Sequence, residues 1–185
     1  MTHEERLRQL IGNDERRLCV LHTVRELGLP DCWVGAGFVR SAVWDALHGI
    51  APRLPDSDID VIWFDPSNCA SDLDAELEAA LCKMRPGLEW SVRNQARMHI
   101  RNGDAPYDGA VDAMRHWPET ATAVALRCTA DGRIEVAAPF GLGDLWDGIL
   151  RPTPTFAGDR HPISMRRVAA RRWLQHWPRL RLMLA

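Results

Sequence analysis

The sequence predicts a single α/β (α+β) domain in which helices flank a mixed sheet. Three observations favour this class. Short β-branched and aromatic stretches alternate with helical patterns, and Asp131-Gly132 separates two β-rich runs, as is typical of a hairpin. The chain of 185 residues, 46% of them hydrophobic, is also large enough to bury one core. We therefore expect residues 1–185 to form one domain, with N-terminal helices at 1–30, a core at 31–140 and a helical, arginine-rich segment at 141–185.

The elements follow from periodicity and from the residues that end each run. Apolar positions at helical spacing, ended by glycine or proline, predict helices over 3–11, 14–27, 38–48, 71–84, 142–150 and 160–177. Asn13 and Ser71 are the predicted N-caps of the second and fourth helices. Apolar and β-branched runs predict strands at 32–34, 58–64 and 88–92, and a hairpin of 122–129 with 133–138.

Composition excludes several classes of protein. The sequence has no apolar run of the roughly 20 residues that a membrane span needs, and residues 1–10 are too charged for a signal peptide. The five cysteines, at positions 19, 32, 69, 82 and 128, form no CxxC pair. This pattern favours reduced thiols and a cytoplasmic protein with no membrane partner.

The net charge of −2 conceals an asymmetry along the chain. All 25 acidic residues lie at or before Asp159, whereas positions 160–185 hold seven arginines and no acid. The pI near 6.4 argues against a protein that coats nucleic acid along its whole surface. The basic end therefore either docks on the acidic body or contacts RNA or nucleotide phosphates.

A pair of acids is the first candidate for chemistry. In a strand, side chains alternate between faces, so Asp58 and Asp60 share a face with Cα atoms about 7 Å apart, while Ile59, Val61 and Trp63 face the core. Two carboxylates at this spacing can bind Mg²⁺, which prefers oxygen ligands and keeps positions open for phosphates. A pair of solvated loop acids is the alternative.

Other sites with paired acids fit this stretch poorly. A calcium loop that begins at Asp56 would need glycine at its sixth position and glutamate at its twelfth, where Val61 and Ser67 stand. Phosphatases with an aspartyl nucleophile and many glycosyltransferases carry their DxD after an apolar run. Here the apolar run follows the aspartates.

A glycine turn between a strand and a helix is the second candidate. Gly35, Ala36 and Gly37 would let a phosphate approach the backbone and the helix N-terminus, and Arg40 lies one turn into that helix. The turn lacks the Gly-Lys-Ser/Thr ending of a Walker loop and the full GxGxxG of a dinucleotide fold. Simple packing is the alternative.

The third candidate is an acid on a later strand. Glu89 could face the aspartate pair if its strand lies beside theirs, and three acids together would need a cation. A solvent-facing glutamate is the alternative. Asn94, Gln95, Arg97 and His99 follow as a dense polar set, suited either to hydrogen bonds with a nucleotide or acceptor or to capping and solvation.

These stretches in this order resemble the polymerase-beta-like nucleotidyltransferase superfamily, to which CCA-adding enzymes belong. The run 36–40 looks like the Gly-Gly-x-Val-Arg of those enzymes with Ala36 in place of a glycine, and Asp58-Ile59-Asp60-Val61 fits their paired acids. Within the superfamily the chain resembles a bacterial nucleotidyltransferase-like family. That resemblance spans about residues 15–180 and is carried by Trp44-Asp45, 58–65, 90–99, 117–123 and 139–142.

The resemblance implies a polymerase-beta-like fold and transfer of a nucleoside monophosphate from an NTP to a hydroxyl. Asp58, Asp60 and Glu89 would then be the catalytic residues and the ligands of Mg²⁺ or Mn²⁺, with Asp104, Asp108 and Asp112 as competitors for the third place. The nucleotide would be held by Gly35, Ala36, Gly37, Arg40, Asn94 and Arg97. The acceptor stays open between a small molecule, RNA and protein. The alternative activities are a catalytically silent nucleotide- or RNA-binding module or, less favoured, a scaffold.

Overall fold

A computed structural model describes residues 1–183, so the last two residues of the predicted segment 141–185 lie outside the described residues. Within 1–183 none of the helices has the length and apolar character that crossing a membrane requires. The helices are α1 (His3–Gly12), α2 (Glu15–Arg25), α3 (Gly37–Leu47), α4 (Ser71–Met84), α5 (Met98–Asn102), α6 (Ala110–Met114), α7 (Gly143–Trp146), α8 (His161–Ala170) and α9 (Trp173–His176). The strands are β1 (Trp33–Gly35), β2 (Ile59–Trp63), β3 (Trp90–Asn94), β4 (Ala125–Cys128), β5 (Ile134–Ala137), β6 (Ile149–Leu150) and β7 (Arg181–Leu182).

The main sheet is mixed, as predicted. Its five strands run in the order β3-β2-β1-β4-β5, with β2 and β3 parallel and the other neighbouring pairs antiparallel. The short parallel pair β6 and β7 forms a second sheet. Parallel pairing of β2 with β3 needs a crossover, which α4 supplies between them.

The two faces of the sheet are packed differently. One face carries Ile59, Val61 and Trp63, each no more than 2% exposed, into the main core together with residues of α1, α2 and α3. The other face carries Asp60 and Ile62, and a smaller apolar cluster with Ala110 and Met114 of α6 covers part of it. The predicted alternation along this strand is confirmed.

Most predicted elements are present, with shifted ends. The helix predicted over 142–150 was wrong in its second half, since α7 ends at Trp146 and Ile149–Leu150 form β6. The helix predicted over 71–84 has those bounds, and the hairpin turns at Asp131-Gly132 with Gly132 at φ +81°. The cap predictions were wrong: the Asp14 carboxylate, not Asn13, caps α2, and Ala70 precedes α4. The helix predicted over 160–177 divides into α8 and α9 at Arg172, whose φ of +52° interrupts it.

The turn between β1 and α3 has an unusual backbone. Ala36 adopts φ +49° and ψ −117°, a region that glycine enters freely and that costs other residues energy. Its N–H donates to the Val124 carbonyl at 3.0 Å, which ties the turn to the chain just before β4. The strain is thus imposed by packing at the position where CCA-adding enzymes are expected to carry glycine.

The C-terminal segment docks on α3. Trp44 of α3 contacts Trp173 and Trp177 edge-on, with ring centroids 5.5 and 5.1 Å apart. Trp177 Nε1 also donates to Asp45 Oδ1 at 2.8 Å. The basic end therefore packs against the body by means of tryptophans and a buried carboxylate.

Substitution of Ala36 by glycine is expected to stabilise the protein. Removing the strain, worth about 1–3 kcal/mol, outweighs the extra freedom of a glycine in the unfolded chain, so we expect a gain of about 1 kcal/mol in the free energy of unfolding. Urea denaturation measures it. Ala42→Gly inside α3, the matched control, should lose about 1 kcal/mol. Equal losses for both variants would contradict strain at Ala36.

Candidate active site

The carboxylate pair lies at the centre of the sheet. Asp60 on β2 is opposite Gly35 on β1, which brings it to the start of the glycine turn. Asp58 immediately precedes β2 and is close enough for its charge to act on Asp60. Both side chains are half-buried. Burial, followed by the Asp58 carboxylate, raises the pKa of Asp60 to about 6. Without a cation the pair is therefore in electrostatic conflict.

The N-terminus of α3 opens beside this pair. Ala36, at the N-cap, provides no side-chain hydrogen bond, so the first N–H groups of the helix are free to meet an anion. A Cβ built on Gly37 would lie 3.5 Å from both Arg40 Nη2 and Ser57 Oγ. The glycine thus leaves a small space that an arginine and a hydroxyl flank.

Arg40 is a buried cation with little compensation. It is 8% exposed, its Nε has no hydrogen-bond partner among residues 1–183, and its guanidinium lies over the Trp173 ring at 4.3 Å from the centroid. Burial, followed by repulsion from Arg167, lowers the pKa of Arg40 to about 9, so it remains charged at neutral pH. Such a group favours an incoming anion.

The C-terminal segment adds two more arginines to the site. Arg167 of α8 lines the same cavity as Asp60 and Ala36, and Arg171 lines a neighbouring cavity with Arg40 and Ser57. Glu119, 1% exposed, holds Arg167 with an Oε2–Nε distance of 3.4 Å. Burial raises the pKa of Glu119, and Arg167 opposes that shift. The sequence left two alternatives for the basic end, docking on the body or contact with phosphates. The two are compatible, because docking brings Arg167 and Arg171 to the site.

Gly35 has a packing role. A Cβ at this position would lie 3.0 Å from Trp117 Cη2 and 3.3 Å from both the Val124 carbonyl oxygen and the Ala125 Cβ. The residue is therefore glycine because Trp117 and the chain entering β4 cross it closely. The structure leaves no space at Gly35 for a phosphate, in contrast to Gly37.

The predicted cluster of three acids is not formed. No three acidic, histidine or cysteine side chains within residues 1–183 group closely enough to hold a metal ion. The parallel register pairs Asp60 with Ser91, so a hydroxyl occupies the position level with the aspartate. Glu89 lies two residues before Ser91 and lines a different cavity, with Pro55 and Asp56. The structure brings Asp58 and Asp60 together without it.

Asn94 and Arg97 lie away from the carboxylate pair. Asn94 is fully buried on the core face, and its amide bonds to the backbone of Asp65, Asn68 and Ala96. Arg97 pairs with Asp74, a buried carboxylate that also accepts from Trp63 Nε1 at 2.9 Å. Both side chains are thus occupied in a network that joins β3 to α4.

The residues at the site suit a divalent cation. Mg²⁺ is commonly held by one or two carboxylates, with waters and substrate phosphates completing the shell. Asp58 and Asp60 offer these oxygens, and a cation would relieve the repulsion that contributes to the raised pKa of Asp60. The pair therefore fits a metal that is completed by phosphate oxygens.

Four residues at the site were not assigned to it individually from the sequence. Ser57 and Glu119 carry no local pattern that distinguishes them from surface residues. Arg167 and Arg171 are four residues apart, and this spacing does place them on one helix face. A search for paired arginines at helical spacing could have found them, but their proximity to Asp60 depends on the docking of the C-terminal segment.

Asp60→Asn is expected to stabilise the metal-free protein above pH 6. A folded-state pKa near 6, above the unfolded value of 3.8, means that ionisation of Asp60 lowers stability as pH rises through this window. With chelator present, the variant should gain about 3 kcal/mol at pH 8 and almost nothing at pH 4, by urea denaturation. The exposed Asp108→Asn control should show no such pH dependence. A gain that is independent of pH would contradict the shift.

Known proteins of similar sequence and fold agree with this geometry. Residues 22–182 match the family model described as nucleotidyltransferase. No curated protein matches the chain. An NMR structure that reveals a CCA-adding enzyme head domain has a TM-score of 0.86 and 32% identity, over 98% of this chain and 96% of that chain.

Longer proteins share the fold alone. The Thermotoga maritima CCA-adding enzyme complexed with tRNA has a TM-score of 0.57 at 19% identity, over 95% of this chain and 42% of that one. A CCA-adding enzyme in complex with CTP gives 0.51 at 18% identity, over 99% and 40%. This chain spans less than half of either. Its matches over most of its length show that it belongs to the nucleotidyltransferase family and has the polymerase-beta-like fold.

Proposed function

We propose that this protein is a metal-dependent nucleotidyltransferase that moves a nucleoside monophosphate from an NTP to a hydroxyl acceptor. The observation that carries the proposal is the meeting of the Asp58–Asp60 pair with the open N-terminus of α3 and the uncompensated Arg40. Carboxylates and anion-binding groups side by side suit a substrate that arrives as a complex of a cation with a polyphosphate.

The two groups of charges have separate roles in the proposal. Arg40 and Arg171, with the free N–H groups at Gly37, would bind and orient the triphosphate. Asp58 and Asp60 would hold Mg²⁺ or Mn²⁺, which supplies charge neutralisation at the α-phosphate. Most of the rate gain would come from positioning for in-line attack and from fixed positive charge.

A catalytically silent nucleotide- or RNA-binding module is the second candidate. The absence of a third acid beside the pair, among residues 1–183, favours it. Solved relatives are described with tRNA, CTP and ATP, which supports nucleotide and RNA ligands for this chain under either candidate. A measurement of nucleotidyl transfer distinguishes the enzyme from the silent module.

Transfer from labelled NTPs, with Mg²⁺ or Mn²⁺ and a cell extract as the source of acceptor, tests the function. Asp58→Asn and Asp60→Asn should each lower the rate by about two orders of magnitude or more, since each removes preorganised charge stabilisation. The control is Asp72→Asn, an exposed acid of α4, which should keep the wild-type rate. Nucleotide binding without turnover by the wild-type protein would support the silent module instead.

Glu89→Gln in the same assay tests the third carboxylate. A wild-type rate would show that the pair suffices, and a loss as large as that of Asp60→Asn would restore Glu89 as a catalytic residue.

Gly37→Ala is expected to weaken NTP binding without unfolding the protein. The added methyl makes ordinary contacts, at 3.5 Å, but fills the space between Arg40 and Ser57. Loss of one backbone hydrogen bond to a phosphate should raise the Kd by about tenfold, by calorimetry with a non-hydrolysable NTP. Gly12→Ala, in α1 with nothing within 4 Å of its Cβ, is the control. Equal Kd values for the two variants would place the triphosphate elsewhere.

A further inference from the structure

Two cavities lie near the carboxylate pair, and Asp60 lines one of them. The triphosphate cavity, of about 170 Å³, is lined by Arg40, Arg171 and Ser57, the residue before Asp58. The second cavity, of about 210 Å³, is lined by Asp60 and lies between the sheet and the segment that leads into α5. An in-line transfer needs a place for the acceptor on the side of the metal site opposite the leaving group, and the second cavity is the candidate.

The cavities differ in free charge. Among residues 1–183, neither Arg40 nor Arg171 forms an ion pair, so the triphosphate cavity has uncompensated positive charge. Both arginines of the second cavity are already paired, Arg93 with Glu78 and Arg167 with Glu119. Among the described residues that line this cavity, no unpaired cation therefore remains to hold an anionic acceptor.

Two polar side chains that line the second cavity offer free acceptor oxygens. Gln95 and Asn102 lie on it, and within residues 1–183 neither side-chain carbonyl oxygen accepts a hydrogen bond, although each amide nitrogen donates one. Free acceptor oxygens bind hydroxyl groups and disfavour phosphate oxygens, which have no proton to donate. An RNA strand, by contrast, needs cations along its phosphates.

The apolar part of the second cavity has the size and surface to hold a ligand with one ring system. Ile62, Met98 and Trp117 lie on it, and the indole of Trp117 is fixed against Gly35. Its volume of about 210 Å³ is below the roughly 300–1,000 Å³ of pockets for drug-sized ligands. An aromatic face with nearby amide oxygens matches the CH and OH groups of a polyhydroxylated ring.

We propose that the second cavity binds the acceptor of the transfer, and that this acceptor is an uncharged, hydroxyl-bearing small molecule with one ring system, of the class of sugars, cyclitols and nucleosides. The proposal rests on the proposed function. In the reaction the acceptor oxygen forms a bond to the α-phosphorus, and the bond from that phosphorus to the bridging oxygen of the β-phosphate breaks. Pyrophosphate leaves with the electron pair, and the hydroxyl proton is released to water.

The test separates acceptors by charge and size. Labelled NTPs, Mg²⁺ and the protein are incubated with the low-mass fraction of a cell extract that passes an anion-exchange resin, and in parallel with the low-mass fraction that the resin retains, with total RNA and with protein. We expect a labelled product in the incubation that contains the neutral low-mass fraction. Label that enters only RNA, only protein or only an anionic small molecule would overturn the acceptor class and leave the proposed function intact.

Two variants tie the acceptor to the cavity. Met98→Trp fills the second cavity and should raise the acceptor KM by about tenfold or more, with the NTP Kd unchanged. Met84→Trp, at the exposed end of α4, is the matched control and should match wild type. Equal acceptor KM values in the two variants would overturn the placement. If wild type labels no fraction although it binds NTP, the proposed function fails, and this inference fails with it.

Discussion

The packing of Trp173 against Arg40 is the contact on which the site depends. A guanidinium buried without a carboxylate partner is costly, and an aromatic face is one of the few neighbours that stabilise it without neutralising it. Because Trp173 also packs on Trp44, the same ring fixes the C-terminal segment to α3 and brings Arg167 and Arg171 to the carboxylates. The site is thus assembled from elements far apart in sequence.

Sheet topology explains why chemistry is confined to one face. The antiparallel pairing of β1 with β2 places Asp60 at the glycine turn, where the strand ends and the helix begins. Side-chain alternation then sends Ile59 and Val61 to the core and leaves Asp60 on the opposite face, which α6 covers only in part. The paired carboxylates and the open helix end therefore meet without disturbing the main core.

Local patterns predicted the parts of the fold that depend on local physics. Strong periodicity gave the bounds of α4, and alternation gave the faces of β2, because both reflect side-chain spacing along one element. The sequence analysis placed Asn94 after the strand, whereas β3 runs from 90 to 94 and not from 88 to 92. Asn94 therefore belongs to the strand and lies on its core face. Its partner Asp74 is 20 residues away, and no local signal reports such a pair.

Contacts between segments that are far apart in the chain could not be predicted from the sequence. Glu119 and Gly35 have their roles because α8 and Trp117 pack against them, and neither contact is visible in the local sequence. The helices α5 and α6 have five residues each, which is too short to show a helical repeat of apolar positions. Of the residues that the resemblance implied, the aspartate pair, Gly37 and Arg40 are found together. Asn94 and Arg97 are bonded elsewhere, and within residues 1–183 Glu89 does not complete a cluster of three acids.

The long sequence separation of the C-terminal dock has a consequence for how the protein matures. Trp177 bonds to Asp45 across 132 residues, so this contact closes a long loop and has a high entropic cost before it forms. During synthesis the sheet and α3 can assemble while the last helices are still inside the ribosome. The aspartate pair and Arg40 of α3 can therefore be in place before Arg167 and Arg171 join them.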